Sequence, residues 1–301
     1  MERRAGRPPA SRPGVLESTF AVLRSVSARR CYTPPVPKLS VTIITRNEEK
    51  NLAAALQSVA WADEIVVVDS RSTDATVAVA RRFTNKVTVR DWPGYVEQKN
   101  HAASLAENDW ILSLDADERV TPELAEEIQE LFRATPKATG YRIPRVTCYL
   151  DAWLRSTDWY PDHQLRLYDR RRGQWTGRYV HESVKVTGPV RTLRGELTHY
   201  PYRDITHHVD TINRYTTLAA RQLYEGGKRA GLAGVIVRPP LAFLRNYLLR
   251  RGVRDGAAGL LVSVLNSYYV LLKFAKLWEL GRGTVSVPTR VERDEEPRTR
   301  A

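Results

Sequence analysis

Apolar residues in the first half of the chain fall in short β-branched runs that alternate with stretches of helical spacing. Leu39-Ser40-Val41-Thr42-Ile43-Ile44-Thr45 predicts a strand, and Asn51 to Ala60 carries apolar residues at helical intervals. Glu64-Ile65-Val66-Val67-Val68-Asp69 reads as a buried strand ending in an acid. Ser72-Thr73-Asp74 then predicts the cap of a helix over Ala75 to Phe83, and Val87-Thr88-Val89 a third strand. A helix over Tyr95 to Ala106 leads into Trp110-Ile111-Leu112-Ser113-Leu114, which stops at Asp115, and Pro122 opens an acidic helix over Glu123 to Phe132. Strands alternating with helices predict a Rossmann-like, mainly parallel α/β sheet, in which ligands bind beyond the carboxyl ends of the strands. Three such ends deliver Thr45-Arg46-Asn47-Glu48, Asp69-Ser70 and Asp115-Ala116-Asp117 to one edge.

Beyond Thr139 the strand signals shorten (Gly140 to Val146, Gln164 to Tyr168, Val184 to Val186), which suits a mixed sheet that receives a second substrate. Arg203 to Tyr224 predicts a helix. After Gly226-Gly227 come two apolar stretches, Leu232 to Leu249 and Ala257 to Leu280, with Pro239-Pro240 as a break in the first. The expected organisation is a disordered basic leader over 1–37, a catalytic domain over 38–225, a helical extension over 226–280 and a disordered tail over 281–301.

Composition narrows the partners. With 47 Lys+Arg against 34 Asp+Glu, a net charge of +13, the surface should attract nucleotides, phosphorylated glycans, acidic lipids or nucleic acid. Two cysteines, Cys31 and Cys148, without a Cys/His cluster, indicate neither a disulfide framework nor structural zinc, and a reducing cytosol fits. The Arg- and Pro-rich segment up to Pro37 lacks the continuous apolar stretch of a secretory signal.

Asp115-Ala116-Asp117-Glu118 follows a buried strand directly, so two carboxylates meet at an exposed sheet edge where their repulsion calls for a cation. Hard oxygen ligands suit Mg²⁺ or Mn²⁺, and such an ion can neutralise the charge that builds up on a departing nucleoside diphosphate. Asp69 can accept hydrogen bonds from a base or ribose. Ser72, Thr73 and Asp74 add polar groups, with helix capping as the other reading of Asp74.

Leu39 to Glu49, VVVDSRSTDAT over Val66 to Thr76, Gln98-Lys99-Asn100 and LDADERV over Leu114 to Val120 together resemble the family 2 glycosyltransferases, which have a GT-A fold. Gln98-Lys99-Asn100, TDWYPDHQLRLYDRR over 157–171 and Val180-His181-Glu182 resemble the bacterial lipopolysaccharide core β-glucosyltransferase group, the likeness extending over roughly residues 39 to 280. It implies that Asp69 contacts the base, Asp115 the ribose or sugar-phosphate, Asp117 the metal and Lys99 a phosphate. Candidate donor contacts are therefore Thr45, Asn47, Glu48, Asp69, Ser72, Asp74, Gln98, Lys99, Asn100 and Asp115.

The family inverts the anomeric carbon, which requires a carboxylate to deprotonate the acceptor hydroxyl. After the loop Trp175 to Val180 only Glu182 of the family's usual acid pair is present, which makes it the first candidate base, with Asp162 as the second. Gln164 and Arg166 are candidates to grip the acceptor or the leaving diphosphate, and His199 to complete the metal shell with Asp117 and Asp115. His207 and His208 match no zinc spacing and read as structural.

The C-terminal stretches point to a membrane. Ala257 to Leu272 is shorter than the roughly 20 apolar residues that span a bilayer. Leu241 to Arg254 interleaves leucines with Arg245, Arg250, Arg251 and Arg254, the pattern of a helix lying in an anionic membrane interface; packing on protein is the competing reading. The expected protein is cytoplasmic, attached peripherally to the inner face of the membrane, and takes a nucleotide-sugar donor, UDP-glucose or a relative, and a lipid-linked or lipopolysaccharide-core acceptor. A nucleotidyltransferase would want a glycine-rich loop where Thr45-Arg46-Asn47-Glu48-Glu49 stands, and a nucleic-acid-binding protein would leave the acids at the strand ends unexplained.

Overall fold

The computed structural model describes residue 6, residues 36–177 and residues 182–283. Most of the predicted leader, residues 178–181 of the loop before Glu182, and the tail from 284 lie outside the described residues.

The first half follows the sequence pattern closely: β1 (Leu39–Thr45), α1 (Glu49–Ser58), β2 (Glu64–Asp69), α2 (Thr76–Ala80), β3 (Val87–Val89), α3 (Tyr95–Leu105) and β4 (Trp110–Asp115). A short β5 (Glu118–Val120) precedes α4 (Pro122–Arg133). Thr121 caps α4 by accepting from the Leu124 N–H at 3.3 Å, with Pro122 where a backbone donor is not needed. Helix α2 ends three residues before the predicted Phe83.

The second half contributes β6 (Gly140–Tyr149), β7 (Ala152–Leu154), β8 (Asp162–Asp169), β9 (Gly173–Thr176), β10 (Ser183–Val186), β11 (Val190–Thr192) and β12 (Leu197–His199). Helices α5 (Ile205–Glu225), α6 (Leu232–Leu244) and α7 (Gly256–Gly281) close the described chain.

The main sheet has ten strands, with the order β3-β2-β1-β4-β8-β6-β12-β5 and with β7 and β11 paired on β6. Its β3-β2-β1-β4 half is parallel; β8 runs antiparallel to both β4 and β6. Strands β9 and β10 form a separate antiparallel ribbon. This is the mixed, helix-flanked GT-A type of sheet expected from the sequence. Register aligns the polar ends: Thr45 lies beside Asp69, and Ile44 beside Asp115. The core forms where the apolar faces of β1, β2 and β4 meet α1 and α4, through Val41, Ile43, Leu52, Leu56, Leu112 and Ile128, all fully buried.

The C-terminal helices differ from expectation in two ways. Pro239 and Pro240 lie inside α6 rather than ending it, and the chain continues as a π-helical turn over Arg245–Leu249. Helix α7 takes in the whole apolar stretch Ala257 to Leu280 with one residue more at each end, and Gly252–Gly281 is long and apolar enough to cross a membrane, where Ala257 to Leu272 alone reads as too short. One side of α7 packs inward: Ala258 and Val262 join Tyr149 and Leu154 in a satellite core. The N-terminal turns of α7 are seated by close backbone contact, since a Cβ at Gly259 would lie 1.9 Å from the Gly252 carbonyl oxygen.

Candidate active site

Two loops at the parallel strand ends are laced together. The Asn47 N–H donates to Ser72 Oγ (2.8 Å), the Glu48 N–H to Thr76 Oγ1 (2.8 Å) and the Thr73 N–H to Asn47 Oδ1 (2.8 Å). Asn47 adopts φ 52°, a left-handed conformation that asparagine tolerates. The lacing employs several predicted donor contacts internally. Asp69 is fully buried and accepts from the Ser72 N–H (2.8 Å) and hydroxyl, which holds its own turn. Asp74 accepts from the Thr76 N–H (3.0 Å) just ahead of α2, whose N-cap position is Ala75.

Beside this loop, Asp115 Oδ1 pairs with Lys99 Nζ at 2.9 Å, and its other oxygen with Arg166. Arg166 also meets Glu118 at 2.6 Å, Glu118 meets Arg145 at 2.7 Å, and Arg145 grips Asp162 at 2.6 and 2.9 Å. Three cations and three carboxylates thus form one network. Burial alone would raise the Asp115 and Glu118 carboxyls, but the Arg166 charge, joined at Asp115 by Lys99, outweighs it and holds both below the usual range. The cation that the acid pair called for is, at Asp115, supplied by the protein itself. Both Asp115 oxygens are engaged by Lys99 and Arg166 in this structure, while the carboxylate still lines the cavity over the strand ends.

Asp117 stands outside the network. Its Oδ2 lies 3.4 Å from His199 Nε2, and His199 Nδ1 lies 3.3 Å from Thr147 Oγ1. Among the described residues no three His, Cys, Asp or Glu side chains gather as a metal cluster. Asp117 and His199 set an oxygen and a nitrogen donor side by side, residue types that could hold a divalent ion.

Two cavities meet at this point. One, of about 400 Å³, opens over the strand ends and is lined by Thr45, Glu48, Trp92, Lys99, Asp115 and Asp117, among others. Thr45 Oγ1 and Trp92 Nε1 are buried there without hydrogen-bond partners, as polar atoms awaiting a ligand would be. The other, of about 550 Å³, is bounded by Asp158, Trp159, Asp162, Gln164, Asn266 and Tyr269, among others. Glu182, His199 and Arg145 belong to both walls, as do Tyr95 and Tyr215, which share a hydrogen bond. Glu182 Oε2 is buried and unpartnered, whereas both oxygens of Asp162 are taken, by Arg145 and by Gln164 (2.6 Å).

The family model for glycosyl transferase family 2 matches residues 40–186, the segment that carries the donor-side strand ends, the acid loop and Glu182. The chain is 32% identical to the lipopolysaccharide core biosynthesis glycosyltransferase LpsC of Rhizobium meliloti (strain 1021), over 81% of this chain and 94% of that protein. The uncharacterized glycosyltransferase RT0209 of Rickettsia typhi is 33% identical over 81% of this chain and 87% of its own length. The chain belongs to the family 2 glycosyltransferases. Among solved structures, the mannosyltransferase PcManGT from Pyrobaculum calidifontis, in complex with GDP-Man and Mn²⁺, aligns with 81% of this glycosyltransferase and 88% of its own chain at 15% identity and a TM-score of 0.47.

The remaining predicted residues of the glycosyltransferase are dispersed. Gln98 is fully buried and donates to Ser70 Oγ (2.9 Å). Asn100 exchanges hydrogen bonds with the Trp175 backbone at 2.9 and 3.0 Å, fixing α3 to β9. Arg166 is 3% exposed and bridges Asp115 and Glu118. Gln164 lines the larger cavity but spends its amide on Asp162. His208 is structural, its Nδ1 3.0 Å from the Tyr149 hydroxyl and its ring stacked on Tyr202 at 3.9 Å. Sequence reasoning missed Trp92, Tyr95, Arg145 and Tyr215; the signal for the first two was a pair of aromatics flanking Pro93-Gly94 just before a helix.

Proposed function

We propose that this glycosyltransferase moves a sugar, glucose in the reading the resemblance favours, from a nucleotide-sugar donor to a lipid-linked or lipopolysaccharide-core saccharide. The reaction proceeds with inversion at the cytoplasmic face of the membrane. The observation that carries this reading is the position of Glu182: an unpartnered buried carboxylate oxygen in the wall shared by a cavity over the strand ends and a larger one beyond them.

With the donor in the smaller cavity and the saccharide in the larger, Glu182 takes the proton of the acceptor hydroxyl. The acceptor oxygen bonds to the anomeric carbon, and the bond from that carbon to the diphosphate breaks, its electron pair leaving on the diphosphate oxygen. Thr45 Oγ1 and Trp92 Nε1 supply hydrogen bonds to the nucleoside, and Lys99 and Arg145 place positive charge beside the departing group. Asp117 and His199 would hold Mg²⁺ or Mn²⁺, which would supply Lewis-acid stabilisation of the diphosphate.

Calorimetric titration of UDP and UDP-glucose into the protein, with and without Mn²⁺, tests the reading. Metal-enhanced binding that Asp117→Asn abolishes is expected. Absence of binding by UDP, GDP and their sugar conjugates would overturn it.

A further inference from the structure

Helix α6 and the π-helical turn after it carry an apolar surface that nothing among the described residues covers. Ile236, Leu241 and Leu244 are exposed along α6, and Leu249 is 79% exposed just beyond it. Helix α7 extends the surface with Leu260, Val264 and Tyr268, whereas Val262 on its other side is fully buried. From Leu232 to Arg254 the sequence holds Arg238, Arg245, Arg250, Arg251 and Arg254 and no acidic residue. Arg245 and Arg250 pair with Asp158, and an apolar centre flanked by Arg238, Arg251 and Arg254 matches the acyl boundary and phosphate plane of an anionic bilayer.

We propose that this face docks in the interface of an anionic membrane and thereby sets the larger cavity at the bilayer surface. The same elements connect surface and cavity. Asn266 and Tyr269 of α7 line the cavity while Val264 and Tyr268 face outward. Asp158, another wall residue, is held by Arg245 and by Arg250 (3.6 Å) from the docking face. A saccharide on a lipid anchor would enter this cavity with its acyl part still in the membrane; that step rests on the lipid-linked acceptor reading, whereas docking does not. Helix α7 stays on the protein rather than crossing the bilayer, because Lys276 Nζ donates to the Asn213 carbonyl oxygen (2.7 Å) and to the Thr216 (2.9 Å) and Thr217 (2.8 Å) hydroxyls of α5.

Co-sedimentation of the full chain with phosphatidylcholine vesicles, with and without phosphatidylglycerol, tests the docking. Binding that requires phosphatidylglycerol and is released by alkaline carbonate is expected. Leu241→Asp/Leu249→Asp and Arg251→Glu/Arg254→Glu should each weaken it about tenfold or more, with Mn²⁺-dependent UDP binding intact as the check on folding. Failure of the wild-type chain to bind, or retained binding in both variants, would overturn the proposal. So would resistance to carbonate, which marks a spanning helix, or a dimer lost in the variants without any lipid affinity. Vesicle binding without nucleotide binding would leave docking standing and remove the sugar-transfer reading instead.

Discussion

His199 Nε2 lies 3.4 Å from Asp117 Oδ2, although the two residues come from opposite halves of the chain. Strand β12 makes the meeting possible: it pairs with β6 on one side and β5 on the other, which puts His199 opposite Glu118, the residue after Asp117. A nitrogen and an oxygen donor side by side make a corner for a dication. His199→Ala should weaken Mn²⁺ affinity in the presence of UDP by on the order of tenfold or more. Titrating Mn²⁺ at fixed UDP measures this, and unchanged affinity would remove His199 from the metal shell.

The buried network gives a stability prediction. Arg166→Met keeps most of the side-chain volume but leaves Asp115, at the cavity wall, and the fully buried Glu118 short of a shared partner. Removing one partner of a buried pair costs about 3–5 kcal/mol. Urea unfolding should register a loss of that order, and a loss below about 1 kcal/mol, the size typical of an exposed pair, would show that the network is solvated.

Two shifted groups oppose one another in acid. Burial pushes the Glu48 carboxyl from 4.5 up to about 7, and burial lowers the His208 imidazole from 6.5 to about 4. Glu48 folds more readily protonated, so its contribution is fully present below pH 4.5 and is lost as pH rises towards about 7. His208 folds more readily neutral, so its contribution is present above pH 6.5 and is lost as pH falls towards about 4. In Glu48→Gln only the rising component remains. Relative to wild type, its unfolding free energy should gain on the order of 1 kcal/mol or more across this window. Urea melts at several pH values decide it; parallel curves for the two proteins would mean that Glu48 is ordinarily solvated.

The donor half was legible because buried parallel strands are written as unbroken apolar runs. Val66-Val67-Val68-Asp69 and Trp110 to Asp115 announce both the strand and where it ends, and the ends did converge. What the runs could not show is which polar groups face the ligand and which are spent on holding the loops. Asp69 and Asn100 carry donor-type chemistry, yet their partners are Ser72 and the Trp175 backbone.

The second half was harder for a different reason. Strands of three or four residues such as β5, β9 and β12 carry too little periodicity to be read, and Arg145 acquires its role only through register. It lies across from Asp162 in the β6–β8 pair, and Glu118 reaches it from β5. Asp162 and Gln164 alternate onto one face of β8, whereas Arg166 falls at a bulge in the β6–β8 register, which no sequence period announces.

Glu182 and Asp162 line the same cavity, but only Glu182 has an uncommitted oxygen. The most direct measurement is therefore the rate of sugar transfer under saturating donor for Glu182→Gln and Asp162→Asn side by side, with donor affinity measured on both. Loss of a positioned general base costs on the order of 10²–10⁴ in rate, and that loss is expected for Glu182→Gln with donor affinity retained, while Asp162→Asn keeps the larger part of its turnover. Full turnover in Glu182→Gln together with a collapse in Asp162→Asn would contradict the account.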